Sequence, residues 1–152
     1  MNATPPSRIE WLSDLIKLEI TLWNRIDACL REEHDLPLAF FWPLYVVGGS
    51  RDGSLRVGEI AEALRLTVGG TSKIVDRIER AGLFRREPDP ADRRASRIAL
   101  TDVGRRKLLA TSETYEAEMT AVLDAALSAD EQHCMHTLVR RLLDTTDAGE
   151  PG

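Results

Sequence analysis

The residues of this 152-residue chain with the most legible chemistry are Ser72, Lys73, Asp76 and Arg77, followed by the adjacent Arg93 and Arg94. Ammonium and guanidinium groups three or four residues apart on a helix present a row of positive charge and hydrogen-bond donors, a combination suited to phosphate oxygens. Gly69 and Gly70 lie just upstream. In a helix each costs about 1 kcal/mol relative to alanine, but the missing side chains allow close backbone approach to base edges and phosphates. The alternative is that they mark a frayed first turn. Arg93 and Arg94 end the turn-rich segment 89–94. A tip of guanidinium groups suits a narrow minor groove of strong negative potential, and a solvated basic loop is the plainer reading.

Such residues need elements that turn them outward. Ile60, Ala61 and Leu64 share one face of a short helical pattern, and Ala61 is small enough for a second helix to cross it steeply. Thr67 is placed to cap that second helix. Beyond it Thr71, Ile74, Val75 and Ile78 recur at i, i+3, i+4 and i+7 and are expected to face inward. Gly69, Gly70, Ser72, Lys73, Asp76 and Arg77 then face outward. Gly82 stops the helix, and an extended run begins at residue 83 and ends at Pro88. Residues 96–100 alternate, with Ile98 and Leu100 inward, and residues 55–57 supply a very short third strand. This pattern predicts two crossing helices followed by a basic hairpin, a winged helix-turn-helix.

The run Asp92-Arg93-Arg94-Ala95-Ser96-Arg97-Ile98-Ala99-Leu100-Thr101-Asp102-Val103-Gly104 resembles the wing signature of the MarR family of bacterial transcription regulators. There an Asp-x-Arg precedes a short strand, and Leu-Thr-x-x-Gly opens a long helix. With Ile60-Ala61, Val75-Asp76-Arg77-Ile78-Glu79 and Gly82-Leu83, the likeness covers most of residues 57–107. It implies a homodimeric repressor on a pseudo-palindromic operator in double-stranded DNA. Thr67, Gly69, Gly70, Ser72, Lys73 and Arg77 would belong to the reading helix, and Asp92, Arg93 and Arg94 to the wing. Asp92 stands where the family's wing aspartate steadies the loop by pairing with an arginine. Gly69-Gly70 and Thr71 depart from the usual pattern. The resemblance also implies release by a small aromatic or anionic ligand, for which Trp23, His34, Trp42 and Tyr45 are candidate contacts. Aromatics at helical spacing serve equally well as plain core.

The rest of the chain fits a mainly α subunit spanning residues 1–152. Residues 8–36 and 105–146 are read as a helical dimerisation stem and residues 37–104 as the winged head. Residues 8–33 carry two neighbouring apolar lines, one with Leu12, Ile16, Trp23, Ile26 and Leu30 and one with Trp11, Leu15, Leu18, Leu22 and Cys29. A stripe that wide calls for cover from a partner chain. Thr101 is expected to cap a helix running to about Leu127, and Ser128 with Glu131 to open a last one. Pro43 should kink the helix expected at residues 37–47 or delay its start. Residues 1–6 and 147–152 are expected to be disordered.

A net charge of −5 argues against nucleic acid until it is divided along the chain. Residues 51–107 hold 14 Lys and Arg against 9 Asp and Glu, whereas the remainder holds 6 against 16. A basic reading head on an acidic body is the expectation. No apolar stretch reaches membrane-spanning length and no signal segment is visible, so a cytoplasmic protein is expected. Cys29 and Cys134 do not make a disulfide framework. A redox role for them, a metal role for His133 and His136, and a winged domain used for protein contacts are the competing readings. No phosphate loop, nucleophile elbow or His-Glu-x-x-His motif accompanies them, so neither catalysis nor a cofactor is expected.

Overall fold

Arg8–His34 form α1, opened by a capping box in which Ser7 Oγ accepts the Glu10 N–H and the Glu10 carboxylate accepts the Ser7 N–H, each at 3.1 Å. The computed structural model describes residues 7–147. Residues 1–6 and 148–152, part of the ends expected to be disordered, lie outside the described residues, and Asp147 closes the last helix. After α1 come α2 (Leu38–Gly48), β1 (Ser54–Leu55), α3 (Val57–Leu64), α4 (Val68–Arg80), β2 (Phe84–Pro88), β3 (Ser96–Leu100), α5 (Asp102–Ala126) and α6 (Ala129–Asp147). This is the mainly helical winged helix-turn-helix that the sequence predicts. No described helix is long and apolar enough to cross a membrane.

Contacts divide the chain into two compact units, one ending at Tyr115 and the other beginning at Glu116. The division falls inside α5 and keeps α1 with the residues expected to form the head. The reason lies in the first unit's core. Ile26 and Leu30 of α1 are fully buried, as are Leu44 and Val47 of α2, Ile60 of α3, Val75 and Ile78 of α4, and Ile98 of β3. Each such side chain contributes about 1.5–3 kcal/mol by leaving water. Asp27 of α1 also accepts the Leu38 N–H at 2.8 Å and so caps α2. Burial alone would raise the Asp27 carboxyl, but hydrogen bonds from Arg31 and Leu38 outweigh it and leave it below its ordinary range.

Two expectations are corrected. α2 does not start late at Pro43; it begins at Leu38 after Pro37 and runs on through a buried Pro43. The ring removes one N–H from the ladder, and apolar packing of Phe40, Phe41, Leu44 and Val47 holds the helix despite that loss. The third strand is Ser54–Leu55 rather than residues 55–57, because the Glu59 carboxylate takes the Arg56 N–H at 2.6 Å and α3 starts at once. β3 lies between β1 and β2, all antiparallel, with Phe84 opposite Leu100 and Pro88 opposite Ser96.

α4 ends in a Schellman arrangement. Gly82 takes φ +76°, its N–H donates to the Glu79 carbonyl at 2.9 Å, and the Leu83 N–H donates to the Ile78 carbonyl at 3.1 Å. α5 then starts against that corner. Thr101 Oγ1 accepts the Gly104 N–H at 2.9 Å and donates to the Gly82 carbonyl at 2.6 Å, while the Thr101 N–H donates to the Leu83 carbonyl at 3.0 Å. A Cβ on Gly104 would lie 2.1 Å from the Leu83 carbonyl oxygen. Within the second unit, Ser128 and Glu131 form the predicted capping box of α6, and Gln132 ties it to Asp124 at 2.9 Å.

Gly104→Ala should therefore destabilise the protein by about 1–3 kcal/mol, because backbone rather than a flexible side chain has to yield. Urea unfolding of the variant, followed by circular dichroism, measures it; an unchanged midpoint would contradict the contact.

Candidate nucleic-acid interface

The N-terminus of α4 is held by Thr67, whose Oγ1 accepts the Gly70 N–H at 3.1 Å. Both glycines lie inside the first turn of the helix. Their reasons differ. A Cβ on Gly70 would crowd the Thr67 hydroxyl at 3.0 Å, whereas one on Gly69 would meet nothing within 4 Å. Packing thus accounts for the first and leaves the second to whatever lies outside. Thr71, Val75 and Ile78 are fully buried and Ile74 is partly so, and the Thr71 hydroxyl satisfies itself on the Thr67 carbonyl at 2.9 Å. Lys73 and Arg77 are exposed, and Ser72 is partly buried beside them. The Arg77 guanidinium sits 5.1 Å over the ring of Phe40 from α2, which orients it. Val68, 59% exposed at the first position of α4, was not singled out in the sequence because a lone apolar residue there fits neither face.

Arg93 and Arg94 project, exposed, from the tip of the β2–β3 hairpin. Among the described residues Asp92 forms no ion pair with an arginine, as the resemblance implied it would; its Oδ1 accepts the Arg94 N–H at 2.9 Å and shapes the tip. The carboxylate that pairs is Asp89. One of its oxygens accepts the Ala91 N–H at 2.8 Å and the other accepts Arg56 Nε at 2.6 Å, with Arg97 3.9 Å away. Arg97 in turn donates to the Ser54 hydroxyl at 2.8 Å and the Ser54 carbonyl at 2.6 Å, binding β3 to β1. Asp89 is buried, and the Arg56 guanidinium, the Ala91 N–H and the charge of Arg97 hold its carboxyl below the usual range. Motif spacing cannot separate two aspartates three apart; burial separates them.

Of the four candidate ligand contacts, the fold brings two together. Trp23 and Trp42 line a cavity of about 420 Å³ with Ala39, Pro43, Ile74 and the 63–66 turn. Tyr45 lies outside it, 55% exposed, in an aromatic cluster with Phe41, Trp42 and Tyr115. His34 is elsewhere, at the end of α1. The single hydroxyl hydrogen of Thr114 goes to Glu33 at 3.0 Å, so His34 Nε2, 2.7 Å away, is the donor to that hydroxyl. Arg65 also lines the cavity and holds a left-handed φ of +53° in the turn between α3 and α4.

Cys29 is partly buried and its thiol donates to Glu33 at 3.4 Å; an anionic neighbour is the reverse of the electropositive setting an activated thiol needs. Cys134 is exposed. Among the described residues no three His, Cys, Asp or Glu side chains gather as a metal site, and His133 and His136 lie exposed on α6.

Comparison with known proteins bears on the same elements. A family model described as the MarR family matches residues 34–95. The transcriptional regulator HosA of Escherichia coli is 32% identical over 117 residues, which cover 76% of this chain and 85% of that protein. Among solved structures, Sco3205, a MarR family transcriptional regulator from Streptomyces coelicolor in complex with DNA, superposes with a TM-score of 0.81 at 22% identity, over 95% of this chain and 92% of that one. AbsC, a MarR family transcriptional regulator from the same organism, gives 0.83 at 17% identity over 97% and 99%. At those identities the likeness is one of fold.

Asp89→Asn should loosen the wing and lower stability at neutral pH. Because the folded carboxyl titrates below its unfolded value of about 3.9, its contribution is complete above that value and is lost as pH falls through the depressed pKa. The stability gap between wild type and variant should accordingly close below about pH 4. Thermal melts across pH 2–7 (about the range where carboxylates titrate) check this, and a gap independent of pH would contradict it.

Proposed function

We propose, from the premise that this chain belongs to the MarR family of DNA-binding transcription regulators, that two copies read a pseudo-palindromic operator through paired α4 helices and wings. The observation that carries this reading is the exposed surface of α4. A capped N-terminus with an open Gly69, followed by exposed Lys73 and Arg77, offers a major groove small groups first and cations after. Arg93 and Arg94 on the wing supply a second contact, to the minor groove and its phosphates. Thr67 and Asp92 act from behind, shaping the helix start and the tip.

Dimerisation is supported by apolar surface left uncovered within each unit. In the first, Trp11, Leu12, Leu15, Ile16 and Leu18 of α1 are each 40% or more exposed. In the second, Leu138, Val139 and Leu142 of α6 are each 43% or more exposed. A second copy covering those faces would remove them from water and place two reading helices about one DNA turn apart, roughly 10 base pairs.

The protein acts on this reading as a repressor released by a ligand. The Trp23–Trp42 cavity is large enough for a small flat molecule and is lined mainly by apolar groups, with Arg65 among its lining residues. Ala63, Leu64 and Leu66 of the helix-turn-helix turn and Ile74 of α4 form part of the same wall. Occupation therefore bears directly on the angle of the reading helix.

Selection of random duplexes on the purified protein should recover an inverted repeat. Its affinity should fall with salt by about 0.9 log units per log unit for each phosphate neutralised. Arg94→Ala should weaken all sequences alike, and Lys73→Ala should weaken binding and relax base preference. No enriched sequence, or a flat salt response, would count against DNA reading. In a screen of small aromatic carboxylates by thermal shift, a ligand at 100 times its Kd should add about 2.7 kcal/mol of stability. Trp42→Ala should abolish that gain, and a gain that survives the substitution would move the ligand elsewhere.

A further inference from the structure

Five side chains of α4 are charged, and they fall on two stripes. Lys73, Arg77 and Arg80 recur at i, i+4 and i+7, while Asp76 and Glu79 stand three apart on the line beside them. On an isolated helix the two stripes would cancel one another, since Asp76 is three residues from Lys73 and four from Arg80, the spacings at which helical ion pairs form. In the folded chain neither carboxylate pairs with a cation of its own helix among the described residues. Both are taken by Arg86 of β2, whose guanidinium donates to Asp76 Oδ1 at 2.6 Å and to Glu79 Oε2 at 3.0 Å, with its third nitrogen 3.4 Å from the Ser96 hydroxyl. All three nitrogens of the planar fork are therefore engaged, a geometry that a lysine cannot copy. The pairs are exposed, and such pairs contribute little to folding. Their larger effect is on the field in front of α4.

We infer that Arg86 is a positioning residue for DNA recognition: by holding Asp76 and Glu79 against β2 it keeps Lys73, Arg77 and Arg80 available to phosphate. The inference rests on the proposed reading that α4 faces DNA. Without Arg86 the two carboxylates would repel the nucleic acid and swing onto the cations that are meant to meet it. Arg86 acts through these groups and needs no contact with a nucleotide.

The test is charge rescue on the selected duplex, with wild type, Arg86→Met, and the triple variant Arg86→Met, Asp76→Asn, Glu79→Gln, each accompanied by a melting curve. Methionine keeps an unbranched apolar stem and removes the charge. Arg86→Met is expected to bind about tenfold more weakly, and the triple variant to return to within about threefold of wild type. A triple variant as weak as Arg86→Met would overturn the inference, since Arg86 would then touch DNA itself. Wild-type affinity in Arg86→Met would overturn it as well. If Arg86→Met does not fold, the triple variant, which carries no stranded carboxylate, decides the matter: full binding supports the inference, and weak binding or failure to fold overturns it. Failure of wild type to bind any duplex is a different result, because it removes the DNA reading and leaves Arg86 out of account.

Discussion

The carbonyl of Leu83 is the point at which four elements meet. It follows the left-handed Gly82 that ends α4, it opens β2, it accepts the N–H of Thr101 at the end of β3, and Gly104 of α5 is pressed against it. Because α4 and the wing leave the same corner, the angle between them is set there and not by the loops at their far ends. α5 begins on the same corner. The Thr-x-x-Gly spacing then has a mechanical reason: the hydroxyl caps the helix start and grips the preceding turn, and the glycine permits the approach.

Electrostatics at the surface is arranged by pairing more than by net charge. The chain is acidic overall, and even its basic stretch carries 9 carboxylates. Three of these are held by arginines outside α4: Asp89 by Arg56, and Asp76 and Glu79 by Arg86. On α4 itself the charged side chains left exposed are Lys73, Arg77 and Arg80. The arginines divide into those that hold the scaffold and those that project from it, and residue type alone does not distinguish the two groups.

That division marks how far the sequence could be read. Local rules were sufficient for the Thr67 cap, the Gly82 stop, the inward face of α4 and the Ser128–Glu131 capping box, since each depends on residues within one or two turns. They failed where a contact joins distant segments. Asp89 binds Arg56 across 33 positions and His34 binds Thr114 across 80, and no spacing rule connects them. Hence Asp92 received a pairing that belongs to Asp89, and His34 was grouped with tryptophans it does not meet. Pro43 differs for another reason: local chemistry allows a delayed start, and an almost wholly apolar helix buried among α1, α3 and β3 tolerates the missing hydrogen bond and begins at Leu38.

The wing tip is stiffer than its length suggests. Between β2 and β3 the backbone is held by three main-chain hydrogen bonds among Asp89, Asp92 and Ala95, and by two more from N–H groups to the side chains of Asp89 and Asp92. A loop so tied has already given up its conformational entropy during folding. On the proposed reading, in which this tip enters a groove, only the side chains of Arg93 and Arg94 would remain to be ordered, at a cost of roughly 0.5–1.5 kcal/mol each. An untied hairpin of the same sequence would have to lose backbone freedom as well, at roughly 1–2 kcal/mol for every residue fixed. On that reading the two aspartates would favour binding without touching the partner, because they move the entropic cost of ordering from the encounter to the fold.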